Sequence, residues 1–236
     1  MYKSHRVCLI DRSGKPRLSS LGWISANWSG YTISGSPKSF RRISANWTVP
    51  FVRPSSTPSY SSAWIGIDGF GNSNLIQTGT GHDFVNGKAH YYAWWEILPS
   101  VMTLIPLPVH PGDRMQAVIS KCTGKTWLIY LRNVSQNWTF RTTKRYNGPQ
   151  ASAEWIVEAP QVGAFISKMA RISSVSFTRC RINGQSPKLT TDQRGIMLQN
   201  GVVTTIPGDP NRSGDAFVVK HTRWQARESH RVHKRL

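Results

Sequence analysis

"AEWIVEAP", residues 153–160, is an apolar, aromatic stretch of strand character that nevertheless carries two carboxyl groups, Glu154 and Glu158. The chain has only four glutamates, so half of them stand here. In an extended chain, alternate side chains share a face. Glu154, Ile156 and Glu158 therefore point one way, and Ala153, Trp155 and Val157 pack behind them. A strand that is apolar on one face and acidic on the other belongs to a sheet with a packed side and a polar, concave side.

The segments around it read the same way. "SSAWIGIDGF" (61–70) sets Ala63, Ile65 and Ile67 against Trp64, Gly66 and Asp68. "AHYYAWWEIL" (89–98) sets His90, Tyr92, Trp94 and Glu96 against Tyr91, Ala93, Trp95 and Ile97. In "NLIQTG" (74–79), Leu75 and Gln77 share a face. "RMQAVISK", "KTWLIYLRNV", "SSVSFTRCRI" and "DAFVVKH" are further strands. "GIMLQNGVVTTIP" (195–207) reads as a hairpin, because Asn200-Gly201 supplies the two positive-φ residues of a type I′ turn. Helical periodicity is nearly absent, with only "VGAFISKMARI" (162–172) ambiguous. The pentapeptide "ISANW" occurs at 24–28 and 43–47; two copies do not make a repeat architecture, and they read as neighbouring strands of one antiparallel ribbon. Many short strands between regular turns imply an all-β antiparallel sandwich over residues 23–222, between a basic N-terminal arm (1–22) and a basic C-terminal tail (223–236).

Composition agrees with that class. The chain has 236 residues, 39% hydrophobic and 17% charged, with Gly 19, Pro 14 and Trp 10. That is enough to bury a core and too apolar for wholesale disorder. The formal charge is +19, from 30 bases against 11 acids. Three readings stand: attraction to nucleic acid or another polyanion, a solvated basic surface, and an acidic working environment. The bases read as concentrated at the termini and on loops, leaving a non-specific anionic partner to the tail, "HTRWQARESHRVHKRL". No apolar run reaches the roughly 18 residues of a membrane span. The run "VCLI" near the N-terminus is too short for a secretory h-region. Cys8, Cys122 and Cys180 contain no CxxC pair, so zinc-ribbon and thioredoxin sites are excluded, and a Cys122–Cys180 bridge stays open.

Standard catalytic signatures are missing: no GxSxG, no HExxH, no phosphate loop and no Asp-Thr-Gly or Asp-Ser-Gly. His82 and His90 flank a turn and read as hydrogen-bonded surface groups. What remains is a set of polar residues on aromatic strands: Trp64 and Asp68, Gln77, Trp94 and Glu96, Glu154 and Glu158. Laid side by side in a curved sheet, they line one Trp-walled groove. A carboxyl among indoles loses water, its pKa rises, and it becomes a candidate acid or base. A solvent-facing Glu on an outer sheet face is the plain alternative.

Taken in order, "SANWSG", "TVP", "SAWIGIDG", "LIQTG", "YAWWEILP", the Gly112-Asp113 pair and "AEWIVEAP" resemble the glutamic peptidases, or eqolisins, from about Ala26 to Val219. The resemblance implies two curved antiparallel sheets of the concanavalin or legume-lectin kind. It implies an acid endopeptidase on polypeptides, extracellular, with a Gln/Glu dyad and no metal or cofactor; the chain itself is read as a monomer. Gln77 and Glu154 match the dyad, and Trp28, Trp64, Asp68, Trp94 and Glu96 match groove residues that bind substrate or support the dyad. Glu158 is read as structural. This chain departs in "QTGTGHDF", which has two more residues before Asp83 than the fungal pattern, and in its basic composition. The rival readings on the same sandwich are a carbohydrate-binding module and a glycoside hydrolase using Glu96 and Glu154.

Overall fold

The computed structural model describes residues 22–222, and the backbone of two short strands before them. In chain order the strands are β1 (Leu9–Ile10), β2 (Pro16–Arg17), β3 (Trp23–Ser25), β4 (Trp28–Ser34), β5 (Arg42–Thr48), β6 (Ser62–Ile67), β7 (Ile76–Val85), β8 (Lys88–Ile97), β9 (Thr103–Ile105) and β10 (Arg114–Lys121). They continue with β11 (Thr126–Asn133), β12 (Trp138–Arg145), β13 (Ser152–Glu158), β14 (Gln161–Val162), β15 (Phe165–Ile166), β16 (Val175–Ile182), β17 (Arg194–Gln199), β18 (Val202–Pro207) and β19 (Phe217–His221). The C-terminal tail lies outside the described residues.

Hydrogen bonding runs unbroken along β12-β11-β10-β5-β16-β19-β18-β17-β4-β13-β6-β7-β8-β9. The ribbon folds over so that its two halves stack as a sandwich. In the half formed by β5, β10 and β11, alternation is clean: Ile43, Ala45, Trp47, Met115, Ala117, Ile119, Trp127, Ile129 and Leu131 are buried inward, and the residues between them face out. One buried face and one wet face is the usual state of an antiparallel sheet. In the other half, β6 and β13 are buried on both faces, because an aromatic cluster covers the side away from the core. Two indoles stitch the layers: Trp155 Nε1 donates to the Ser44 carbonyl at 3.1 Å, and Trp47 Nε1 to Thr80 Oγ1 at 3.0 Å.

The hairpin at Asn200-Gly201 forms, with φ of 51° and 73° at its two turn residues. "VGAFISKMARI" contributes Val162 of β14, the two-residue strand β15 and no helix. The two "ISANW" copies are not neighbours: the first straddles β3 and β4, the second forms β5 in the opposite layer. The first copy breaks where Ser25 Oγ accepts the amides of Asn27 and Trp28, whereas the second alternates inward and outward without interruption. Cys122 and Cys180 are both free. No helix among the described residues is long and apolar enough to cross a membrane.

Candidate active site

Register builds the site. Thr32, Glu154, Gly66, Gln77 and Glu96 lie on one rung across β4, β13, β6, β7 and β8. The next rung on the same face is Gly30, Ile156, Trp64, Gly79 and Trp94, and the one after it Trp28, Glu158, Ser62, Gly81 and Tyr92. Gln77 and Glu154 therefore share a face, with one strand and one glycine between them, about 10 Å apart at the backbone.

The glycines make room for rings. A Cβ on Gly66 would come within 2.8 Å of the Trp64 ring and 2.9 Å of Leu75, and one on Gly81 would strike the Tyr92 ring at 2.1 Å. Leu75 thus stands over the glycine that separates the two polar side chains. Trp23, Trp28, Trp64, Leu75, Trp94 and Ile156 form one buried cluster with Phe70 and Tyr92 at its margin, and Phe70 lies against Trp23 at 5.4 Å between ring centroids.

Gln77 is 5% exposed. Its Nε2 donates to Glu96 Oε2 at 2.5 Å, and its Oε1 is buried with no donor on it. This fixes which end of the amide faces Glu96 and leaves the second N–H uncommitted. Glu154 is 0% exposed, and neither of its oxygens makes a well-formed hydrogen bond. Burial holds its pKa well above the carboxylate range; the Asp68 charge adds to this, and the Ser152 hydroxyl and Phe70 amide pull back. Burial also raises Glu96, against the pull of Gln77 and the Met102 backbone. Glu158 is pushed up to about 7 by burial, although Trp28 Nε1 (3.0 Å), Trp64 Nε1 (2.8 Å) and Asn27 Nδ2 (3.2 Å) donate to it. Asp83 is pushed up to about 6 by burial, and it accepts from the Tyr92 hydroxyl at 2.9 Å and the Ser61 amide at 3.2 Å. Burial thus raises four carboxyls on one sheet face.

Trp28, Trp64, Trp94, Gln77, Glu96 and Glu154 are brought to one face. The indole N–H groups of Trp28 and Trp64 are spent on Glu158, with the rings edge to face at 4.9 Å. Asp68 is fully buried, and its carboxylate is spent on the Tyr146 hydroxyl (2.5 Å) and the amides of Gln150 and Ala151 (2.8 Å each). It is a clamp on the 146–151 segment at the end of the strand next to Glu154. Sequence reasoning missed Leu75 as the cover over Gly66, the Phe70 amide beside Glu154, and Tyr146 and Gln150 as partners of Asp68. Gly79 and Gly81, two apart on β7, and Gly66 on the neighbouring β6 were the available signal for rings lying across the sheet. His82 is not a surface group: it is fully buried between the layers, because the side chains of Thr78, Thr80 and His82 alternate inward. His90 is exposed, as expected beside a turn. Among the described residues, no three His, Cys, Asp or Glu side chains are grouped to hold a metal.

Residues 26–212 match the family described as Peptidase A4. Aspergillopepsin-2 of Aspergillus niger is 24% identical over 224 residues, which span 84% of this chain and 78% of that protein. A crystal structure of scytalido-glutamic peptidase with a transition state analog inhibitor is similar at a TM-score of 0.71 and 23% identity, covering 84% of this chain and 99% of its own. Aspergilloglutamic peptidase from Aspergillus niger is similar at a TM-score of 0.58 and 24% identity, covering 70% and 99%.

Proposed function

Since the chain belongs to the peptidase A4 family and is by that membership a glutamic endopeptidase acting on polypeptides, we propose that Glu154 and Gln77 are its catalytic pair and that it works in acid. The observation that carries this reading is the rung on which a carboxyl and an amide flank a single glycine on one sheet face. A peptide carbonyl and a water set over Gly66 would lie within reach of both.

The reaction is hydrolysis by an activated water. Glu154, as carboxylate, takes a proton from the water as its oxygen attacks the scissile carbon; such positioned proton transfer contributes about 10²–10⁴ in rate. The uncommitted N–H of Gln77 donates to the developing oxyanion, a contribution of about 10²–10³. Glu154 then passes the proton to the leaving nitrogen as the C–N bond breaks. An amide suits this role in acid because it does not titrate. Glu96, bonded to Gln77 Nε2, keeps that N–H aimed.

Buried under the apolar cover of Leu75 and the aromatic cluster, Glu154 is pushed toward its protonated form. Entry of peptide and water displaces that cover, hydrates the carboxyl and lowers its pKa toward the working range. The acid range is supported by the four raised carboxyls Asp83, Glu96, Glu154 and Glu158, which would repel one another if all were ionised. The test is digestion of denatured protein and of polysaccharides across pH 3–8. New peptide termini below about pH 5 with intact polysaccharide are expected; peptide cleavage confined to neutral pH would refute the acid assignment.

A further inference from the structure

The two layers differ in the bases and acids they carry. The groove strands β4, β6, β7, β8, β9 and β13 hold one lysine, Lys88, and four acids. The opposite strands β5, β10, β11, β12 and β16 hold nine Lys and Arg residues and no Asp or Glu. The positive charge is therefore built into a sheet, not confined to termini and loops.

Its composition is specific. The two lysines are engaged elsewhere: Lys121 Nζ donates to Gln150, and Lys144 lies over the Trp95 ring. The remaining seven bases are all arginine. Among the described residues, only Arg181 of these is in an ion pair, with Asp215. A bulge in β16, where register against β5 slips between Thr178 and Arg181, leaves both Thr178 and Arg179 exposed, with Arg179 at a φ of 51°. Bulges of this kind re-aim side chains. Arg179 faces Arg114 across a depression of about 340 Å³ whose other walls include Asn46, Thr48, Gln116 and Thr178.

We infer that this outer face binds the phosphodiester backbone of duplex nucleic acid without reading sequence. Arginine forks match phosphate oxygens two at a time, and uncharged amides and hydroxyls between them suit phosphate and sugar oxygens. The aromatic on the outward positions of these five strands is Tyr130, and the Arg141 guanidinium lies over its ring at 5.8 Å. The face thus has guanidiniums for a backbone and no bare stacking platform for unpaired bases. Phosphodiesters also stay charged in acid, where polycarboxylates lose their charge.

The experiment is binding of the full-length chain to a short DNA duplex by fluorescence anisotropy, over a salt series at pH 5 and pH 7. The variant replaces Arg114, Arg132, Arg141 and Arg179 by Gln in the full chain, with its unfolding temperature checked. Each phosphate contact contributes about 0.9 to the slope of log K against log salt. The variant should lower that slope by about 3 to 4, and neutralising the tail bases Arg223, Arg227, Arg231, Lys234 and Arg235 should leave this loss in place. If the quadruple variant fails to fold, Arg141→Gln with Arg145→Gln, both exposed on β12, should lower the slope by about 2. A slope unchanged by the face variants but abolished by the tail variant overturns the inference. So does binding to heparin or to phosphatidylserine vesicles with none to the duplex.

Discussion

His82 makes the sharpest test of how the interior is wired. It is fully buried on β7, and its neighbours fix its protonation. Trp47 Nε1 donates to Thr80 Oγ1 at 3.0 Å, and Thr80 Oγ1 lies 2.8 Å from His82 Nε2, placed to donate its hydrogen to a neutral imidazole. The imidazole proton then sits on Nδ1, facing Ser61 Oγ at 3.4 Å, while Ser61 donates to the His82 carbonyl at 2.7 Å. A second proton, on Nε2, would place a charge inside the core, away from water. Burial accordingly pulls the pKa from 6.5 to about 3. The folded value lies below the unfolded one, so this contribution to stability is complete above pH 6.5 and is lost as pH falls toward 3. At about 1.4 kcal/mol per pH unit, the loss across that window is about 5 kcal/mol. Replacing His82 by Gln removes the titration, at a fixed cost of about 1–3 kcal/mol for the poorer fit. Urea unfolding at pH 6.5 and pH 3 reads it directly. The wild type should lose about 5 kcal/mol more than the variant between the two. Parallel losses, within about 1 kcal/mol, would refute the buried neutral imidazole.

Glu158 should act in the opposite sense. Its folded pKa of about 7 is above the ordinary 4.5, so its contribution is complete below pH 4.5 and is lost as pH rises to 7, by about 3 kcal/mol. Urea unfolding of Glu158→Gln should show that much less decline over the window, and an unchanged decline would contradict the assignment. Asp68→Asn removes the charge that takes one hydroxyl and two amides. It should cost about 2–3 kcal/mol, read as a lowered unfolding temperature.

Strand identity was legible where alternation was strong. "SSAWIGIDGF" and "AHYYAWWEIL" put the expected residues on the expected faces, and Asn200-Gly201 turned the hairpin. Strand neighbours were not legible. The two "ISANW" copies have the same local preferences and sit in different layers, because pairing is decided by which faces the rest of the chain can cover. The same limit hid the Asp68 clamp, whose partners lie 78 to 83 residues away. It also hid the arginine face, whose members are scattered from 42 to 181 and meet only through β5, β10, β11, β12 and β16. His82 looked like a turn-side surface group because nothing in "GTGHDF" marks the second layer that closes over it. Motif order pointed to Gln77 and Glu154, but only the register of β13, β6 and β7 put them on one rung.

The most direct test of that pairing is the rate of peptide cleavage by Glu154→Gln and Gln77→Ala on a denatured protein at about pH 4, near the reference carboxyl pKa. The Gln77–Glu154 pairing requires losses of about 10²–10⁴ for the first and about 10²–10³ for the second, with unfolding in acid close to that of the parent chain. Cleavage by Glu154→Gln at the parent rate would contradict it.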